Sequence, residues 1–271
     1  MNKKRETKLV NKIKHLLKQV NCPRYLHHYG PKKYKLYQHL FAFIVMEVCR
    51  LSFRRAVYFL ELLGFNVPSY SALCKSRKRI PLMLWNSMLE LTAGIKHNNV
   101  AIDSTGISRN NPSYHYIHRI DRKKPVKRYI KLSSFFDLDK KKFLALRIRA
   151  KPRHDIKDVK YLLKKDSSMG KLFGDSAYDA EFLHEYCYEN NIQTIIKPRK
   201  NVKRGFYRKK QMKNYSEEEY HKRSLIESGQ GGLKRRYGGY TLTRNITSAK
   251  AELYCKAIAY NMKLCLLEIF N

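Results

Sequence analysis

The chain of 271 residues carries 57 Lys and Arg against 22 Asp and Glu, a formal net charge of +35. A field of that size attracts polyanions and repels cations, so nucleic acid is the expected partner, ahead of a ribosomal role or an anionic membrane surface. The longest purely apolar run, Leu40 to Met46, is too short to cross a bilayer, and six cysteines without a CxxC pair indicate neither a zinc ribbon nor a disulfide framework.

The opening MNKKRETKLVNKIKHLLKQV alternates charged and apolar residues at helical spacing and has no continuous apolar core, so it does not read as a secretory leader. The expected location is a reducing cytoplasm, in association with the nucleoid. Residues 1–95 are predicted to be helical throughout and to form a first domain. Within it, one helix starts at the N-cap Ser52 and stops at Gly64, and FNVP leads into a short basic helix carrying Lys75, Arg77, Lys78 and Arg79. This outline suits a DNA-binding helix-turn-helix, and equally a plain helical hairpin. Trp85 is expected in the core.

From Asn98 the pattern changes. NNVAIDSTGIS, KRYIKLSSFFDLD and KFLALRIRA read as strands, with DLDKK as the turn joining the last two. DIKDVKYLLKK follows as a helix, with Asp155 as its cap and Asp158 three residues on. Strand KLFGDSAYD, helix AEFLHEYCYENN and strand QTIIKPR come next. Asp179 is expected to start the second of these helices. Three meandering strands followed by helix, strand, helix and strand predict a mixed α/β sheet with crossover helices over residues 96–271. The run KPRKNVKRGFYRKKQMK, with Lys203 and Arg204 at its middle, has nine basic residues and no acidic one, and reads as a loop that tracks phosphates.

Asp103 follows the apolar NVAI, and Asp175 follows LFG. Both are expected at strand ends, where α/β sheets build their sites, although either alone is commonly a turn residue. A third carboxylate stands out later: Glu227 is the only acidic residue from His221 to Ala249. Ser216 and Glu219 form a capping box for its helix. At about 100° per residue, Tyr220, Arg223, Glu227 and Lys234 fall on one stripe about 60° wide. Gly229, Gly231 and Gly232 each cost the helix up to about 1 kcal/mol relative to Ala and are expected to loosen it beyond Glu227. Three carboxylates brought together repel one another unless a cation sits among them, and Mg²⁺ takes oxygen ligands of this kind.

Asp103 in AIDSTG, Asp175 in LFGDSAYD and the Y-x2-R-x3-E-x6-K spacing of Tyr220, Arg223, Glu227 and Lys234 resemble the DDE transposases of bacterial and archaeal insertion sequences, in the superfamily with the Y-R-E-K signature. The resemblance covers about residues 98–260. It implies a ribonuclease H-like catalytic domain in which Asp103, Asp175 and Glu227 hold Mg²⁺, with Mn²⁺ as an alternative. It further implies cleavage at inverted-repeat ends, transfer of 3′ ends into target DNA, and a homodimer in the complex with double-stranded DNA. Tyr220, Arg223, Lys234, the basic helix and the Lys203–Arg204 run are then the expected DNA contacts. A non-catalytic DNA-binding descendant and a ribonuclease H-like nuclease are the alternatives.

Overall fold

A computed structural model describes residues 7–264 apart from 27, 28, 30, 31, 110–114, 116–118, 120–128, 152, 165–168, 201–203 and 244. In chain order the main elements begin with helices α1 (Lys8–Gln19), α2 (Leu36–Cys49), α3 (Phe53–Leu62), α4 (Tyr70–Arg79) and α5 (Leu82–Ala93). Strands β1 (His97–Arg109), β2 (Tyr129–Asp137) and β3 (Lys142–Arg149) follow, then α6 (Ile156–Leu163), β4 (Met169–Gly174), α7 (Glu181–Glu189) and β5 (Gln193–Ile196). The chain closes through α8 (Phe206–Met212), α9 (Glu217–Tyr220), α10 (Ser224–Tyr237) and α11 (Ile246–Asn261).

These elements form two compact units: Met1–Thr92 with Arg109–Tyr116 and Leu233–Asn271, and Ala93–Ser108 with Ile117–Gly232. This differs from a single split at 95/96. Residues 233–271 join the N-terminal helices because α11 is buried almost all round and packs on α2 and α4. A helix apolar on every side cannot stop at a domain surface.

In the first unit, the hydroxyls of Ser52 and Ser69 accept the N–H groups of Arg55 and Ala72 and so start α3 and α4. Gly64, with φ of +78°, turns the chain out of α3 in a conformation that side chains resist. Both helices stand where the sequence placed them, but Arg77 does not face solvent. It is 1% exposed, lies 4.9 Å and 5.0 Å from the Phe43 and Phe53 ring centres, and pairs with Glu47 at 2.6 Å. The face of α4 that carries Arg77 packs inward, and a buried guanidinium persists only with a carboxylate beside it. Lys75, Lys78 and Arg79 remain exposed. Trp85 is fully buried, as expected.

The second unit contains a sheet whose strands run β3-β2-β1-β4-β5. β1 pairs antiparallel with β2, β2 antiparallel with β3, while β1–β4 and β4–β5 are parallel. This is the mixed, ribonuclease H-like order expected from the sequence. The β2–β3 turn is held by Asp137, whose carboxylate accepts the N–H groups of Asp139 and Lys140 at 2.9 Å and 2.7 Å. On one sheet face Val100, Ile102, Phe135 and Leu172 pack with Val159 and Leu162 of α6 and Leu183 and Cys187 of α7. Burying these side chains supplies the driving force for the unit, at about 25 cal/mol per Å² of apolar surface.

Candidate catalytic carboxylate site

Asp103 sits inside β1, opposite Ser134 of β2, rather than at a strand end, because β1 continues to Arg109. What ends is its parallel neighbour: the last β1–β4 pair is Ala101 with Phe173, and β4 stops at Gly174. Asp103 and Asp175 therefore both stand just past the last β1–β4 pair. Asp175 is fixed by its own turn, its Oδ1 accepting the Ala177 N–H at 2.9 Å and starting a 3₁₀ turn over Ser176–Tyr178.

Glu227 and Arg223 arrive from the helical segment. Ser216 Oγ accepts the Glu219 N–H at 3.3 Å, but the Glu219 carboxylate turns to Lys171 at 2.7 Å rather than closing the capping box. Right-handed helical backbone then continues through α9, a 3₁₀ turn at His221–Arg223, and α10. The glycines do not interrupt it. Gly229 is required there: a Cβ at this position would lie 2.5 Å from Phe136 Cζ on β2. The helix gives up propensity in order to approach the sheet at backbone distance, and Gln230, next along, donates to Ser134 Oγ at 3.4 Å.

Arg223 occupies the middle of the group. Its guanidinium pairs closely with Glu227 Oε1, reaches within 3.9 Å of Asp103 Oδ2, and lies 5.9 Å from the Tyr220 ring centre. Burial pushes the Asp103 carboxyl up to about 6, helped by the charges of Asp175 and Glu227 and opposed by a backbone hydrogen bond from Ser104 and by Arg223. Against the cost of its burial, Tyr220 and then the same three carboxylates hold Arg223 above its ordinary range. The fold thus brings together Asp103, Asp175, Tyr220, Arg223 and Glu227. Lys234 lies farther along α10, in the part that belongs to the first unit, with its stem against Gly239.

Among the described residues, no group of three or more His, Cys, Asp and Glu side chains is arranged so that it could hold a metal ion. The donor chemistry nevertheless fits a hard divalent cation: three carboxylates, of which Glu227 is 56% exposed and, among the described residues, pairs with Arg223.

Behind the site lies polar structure that the sequence did not reveal. Ser104 Oγ bonds both Ser133 Oγ at 2.9 Å and the Tyr178 hydroxyl at 3.0 Å, and Ser133 donates to Asp158 at 2.9 Å. Asp158 is fully buried and also paired with Arg149, while Asp155 pairs with Lys131 and makes no side-chain cap bond. The expected cap of α6 is therefore two ion pairs that tie it to β2 and β3. Asp179 likewise does not cap α7, whose N-cap is Ala180. Its buried carboxylate accepts from Arg208 Nε at 2.7 Å, the Arg199 N–H at 2.8 Å and His184 Nε2 at 3.1 Å. Arg199 in turn donates to the carbonyls of Ser176 and Ala177 at 2.7 Å and 2.9 Å, bracing the turn that carries Asp175.

The basic run is thus not one open loop. Phe206–Met212 is helical, Arg199 and Arg208 are committed to the Asp175 turn, Arg204 is exposed, and Lys203 lies outside the described residues. Tyr188, Phe206 and Tyr207 cluster there, with Lys210 4.2 Å from the Tyr188 ring centre.

The sequence profile described as the transposase DDE domain matches residues 95–262. No curated protein matches the chain. Among solved structures, it is similar to the piggyBac transposase in a cryo-EM synaptic complex with hairpin DNA, at 11% identity and a TM-score of 0.48 over 94% of this chain and 72% of that one. It is also similar to a pre-cleavage Mos1 transpososome, at 12% identity and a TM-score of 0.23 over 90% and 81% of the two chains. Since the matched profile covers more than half of the sequence, the chain belongs to the transposase DDE-domain family.

Proposed function

We propose that the chain is a transposase that cuts DNA at the inverted-repeat ends of an insertion sequence and joins the 3′ ends to target DNA by metal-dependent transesterification. The observation that carries this reading is the convergence of Asp103, Asp175 and Glu227 on a single arginine, with Asp103 raised to about 6 by burial and by its two carboxylate neighbours. Members of the family generally use a divalent metal. Asp103, Asp175 and Glu227 are the residues that would hold it here, Mg²⁺ first and Mn²⁺ second. Bound there, the ion supplies activation of a water or 3′-hydroxyl and neutralisation of the leaving oxygen at phosphorus.

The chain's own groups do the rest. Glu227 leaves Arg223 to join the other two carboxylates, which frees the guanidinium to hold a phosphate oxygen beside the reacting end. Tyr220 backs that guanidinium. Arg199 and Asp179 keep the Asp175 turn in place. Lys234, Lys75, Lys78, Arg79, Lys203 and Arg204 neutralise phosphates of the end duplex and target, the residue 1–95 region serves as the DNA-binding domain, and two copies bridge a pair of ends.

The test is an end-cleavage and strand-transfer assay on duplex oligonucleotides in Mg²⁺, with and without Glu227→Gln and Asp103→Asn. Cleavage at the end followed by joined product, both lost in the variants, is the expected result. Cutting without joining favours the nuclease alternative, and DNA binding without cutting favours the non-catalytic descendant.

A further inference from the structure

Three hydroxyls and a carboxylate stand in line behind the candidate site. Tyr178 bonds Ser104 at 3.0 Å, Ser104 bonds Ser133 at 2.9 Å, and Ser133 bonds Asp158 Oδ2 at 2.9 Å. The direction of each bond follows from counting protons. Asp158, ion-paired with Arg149, has only acceptor oxygens, so the single proton of Ser133 goes to it. Ser133 is left with lone pairs, and Ser104 must donate to them. With the Ser104 proton engaged there, the bond to Tyr178 is donated by the phenol. The line therefore runs from Tyr178 through Ser104 and Ser133 to Asp158, pointing away from the three carboxylates of the site. Aligned bonds of this kind reinforce one another.

The head of this line joins the two segments that carry Asp103 and Asp175. Ser104 gives its backbone N–H to the Asp103 carboxyl. Tyr178 gives its own to the Asp175 carbonyl at 3.1 Å, closing the 3₁₀ turn that Asp175 starts. The bond between their side chains thus spans the two strands past the last pair of the β1–β4 ladder, Ala101 with Phe173. Gly174 lets the tyrosine come this close, since a Cβ there would lie 3.3 Å from both Tyr178 Cβ and Ile102 Cγ2. Tyr178, Ser133 and Asp158 are all buried.

We propose that Tyr178, Ser104 and Asp158 are positioning residues: the polarised line from the Tyr178 hydroxyl to Asp158 sets the spacing of Asp103 and Asp175, so that the two carboxylates share one divalent cation. This rests on the reading that these carboxylates hold a metal ion, whose ligands tolerate an error of only about 0.5 Å. Asp158 touches neither aspartate, yet it decides the sense of the line. In Asp158→Asn, Arg149 keeps the remaining oxygen on its own side, the amide donors face Ser133, and every bond in the line reverses. Tyr178 then accepts from Ser104, and its own proton is left buried without an acceptor, which displaces the ring. Tyr178→Phe removes both the tie to Ser104 and the proton that reversal would strand.

The full chain without DNA is titrated with Mn²⁺, the free ion being read by electron paramagnetic resonance, and end cleavage is followed across a Mg²⁺ series beside it. The variants are Tyr178→Phe, Asp158→Asn and the two combined. Tyr254→Phe, which removes a buried hydroxyl bonded to Asn86 in the first unit, is the control. Tyr178→Phe and Asp158→Asn are each expected to raise the Mn²⁺ dissociation constant about tenfold and to shift the Mg²⁺ midpoint of cleavage by the same factor. Anisotropy titrations in EDTA should give both the wild-type affinity for end duplex. The combined variant should bind Mn²⁺ no worse than Tyr178→Phe, because the proton that reversal strands is no longer there. Tyr254→Phe should lower the thermal midpoint and leave Mn²⁺ affinity unchanged. Wild-type Mn²⁺ affinity in Tyr178→Phe would overturn the inference and reduce the line to a matter of stability. Equal weakening by Tyr254→Phe would overturn it too, since any loosened fold then has the same effect. Additive losses in the combined variant would overturn the assigned direction. Should Asp158→Asn fail to fold, Tyr178→Phe against Tyr254→Phe decides. A wild-type chain that neither binds Mn²⁺ nor cuts end DNA removes the proposed function along with this inference, whereas a wild-type chain that does both beside an unaffected Tyr178→Phe removes this inference alone.

Discussion

Two clusters in this molecule gather carboxylates around an arginine, and they are settled in opposite ways. In the first unit, Glu47, Arg77, Glu252 and Lys256 are all buried, two negative charges against two positive. Glu47 meets Arg77 at 2.6 Å and Lys256 at 3.8 Å, and Glu252 meets Lys256 at 3.3 Å and accepts the Leu242 N–H at 3.0 Å. Lys256 also donates to the Tyr240 carbonyl at 2.6 Å. In the second unit, Arg223 faces three carboxylates, one of them more than half exposed. The first cluster is neutral and closed. The second has an excess of negative charge and an open side. A balanced cluster specifies packing; an unbalanced one at the surface is poised to take something in.

The sharpest way to break this comparison is to unbalance the closed cluster. Glu47→Leu leaves Arg77 buried without its partner and should cost about 3–5 kcal/mol, read as a lowered denaturant midpoint. Glu47→Leu combined with Arg77→Met should recover much of that loss, and a double variant as unstable as the single one contradicts the balanced-cluster account. In the open site the same manipulation should leave folding intact and remove chemistry. Glu227→Gln is expected to reduce end cleavage more than a hundredfold, about 2.7 kcal/mol of barrier, with binding to end DNA and thermal midpoint close to wild type. Retained cleavage would make Glu227 a surface partner of Arg223 and no more.

Smaller effects refine the boundary between support and chemistry. Gly229→Ala must push against the Phe136 ring and should cost about 1–3 kcal/mol of stability. Arg199→Ala should slow cleavage about tenfold at saturating DNA, roughly 1.4 kcal/mol, with little change in affinity, because its bonds go to the Ser176 and Ala177 carbonyls. Weaker binding with an unchanged saturated rate would instead return Arg199 to the class of phosphate contacts.

A last effect is a pH dependence in the closed cluster. Burial, then the Glu252 charge, push Glu47 up to about 7, against Arg77 and Lys256. Its folded form holds the proton more tightly than the unfolded chain does. The associated stability is therefore present below about pH 4.5 and lost as pH rises through about 7. Urea titrations across that window should show the decline in wild type and its absence in Glu47→Gln.

The sequence carried the strand order and the carboxylates because both are written locally. Hydrophobic runs of strand length predicted the sheet, and the spacing of Tyr220, Arg223 and Glu227 placed three groups on one helical stripe. What it could not carry was which cations face water. Arg77 and Lys78 are adjacent in one basic helix, yet one is buried and the other exposed, and the deciding partner, Glu47, lies thirty positions away. Arg199 and Arg208 read as part of a charge run for the same reason: Asp179, which takes both, precedes the run by a strand and a helix. The helix after Glu227 was expected to loosen because intrinsic propensity counts each glycine as a loss and cannot register the Phe136 ring. The return of residues 233–271 to the N-terminal helices depends on long-range burial of α11 that no window of sequence contains.

The contact between Gly229 and Phe136 also sets how this site can be altered. A ring resting on a bare Cα has no directionality. It fixes how near α10 may come to β2 and leaves direction to other groups, among them Gln230 through its bond to Ser134. Two residues before it on the same helix stands Glu227. Any side chain at 229 acts as a shim under the helix, and its thickness is passed on to the carboxylate as height above the sheet. The site therefore has a mechanical adjustment separate from its electrical one: a graded series of volumes at position 229 tunes the reach of Glu227 while every charge in the cluster stays as it is.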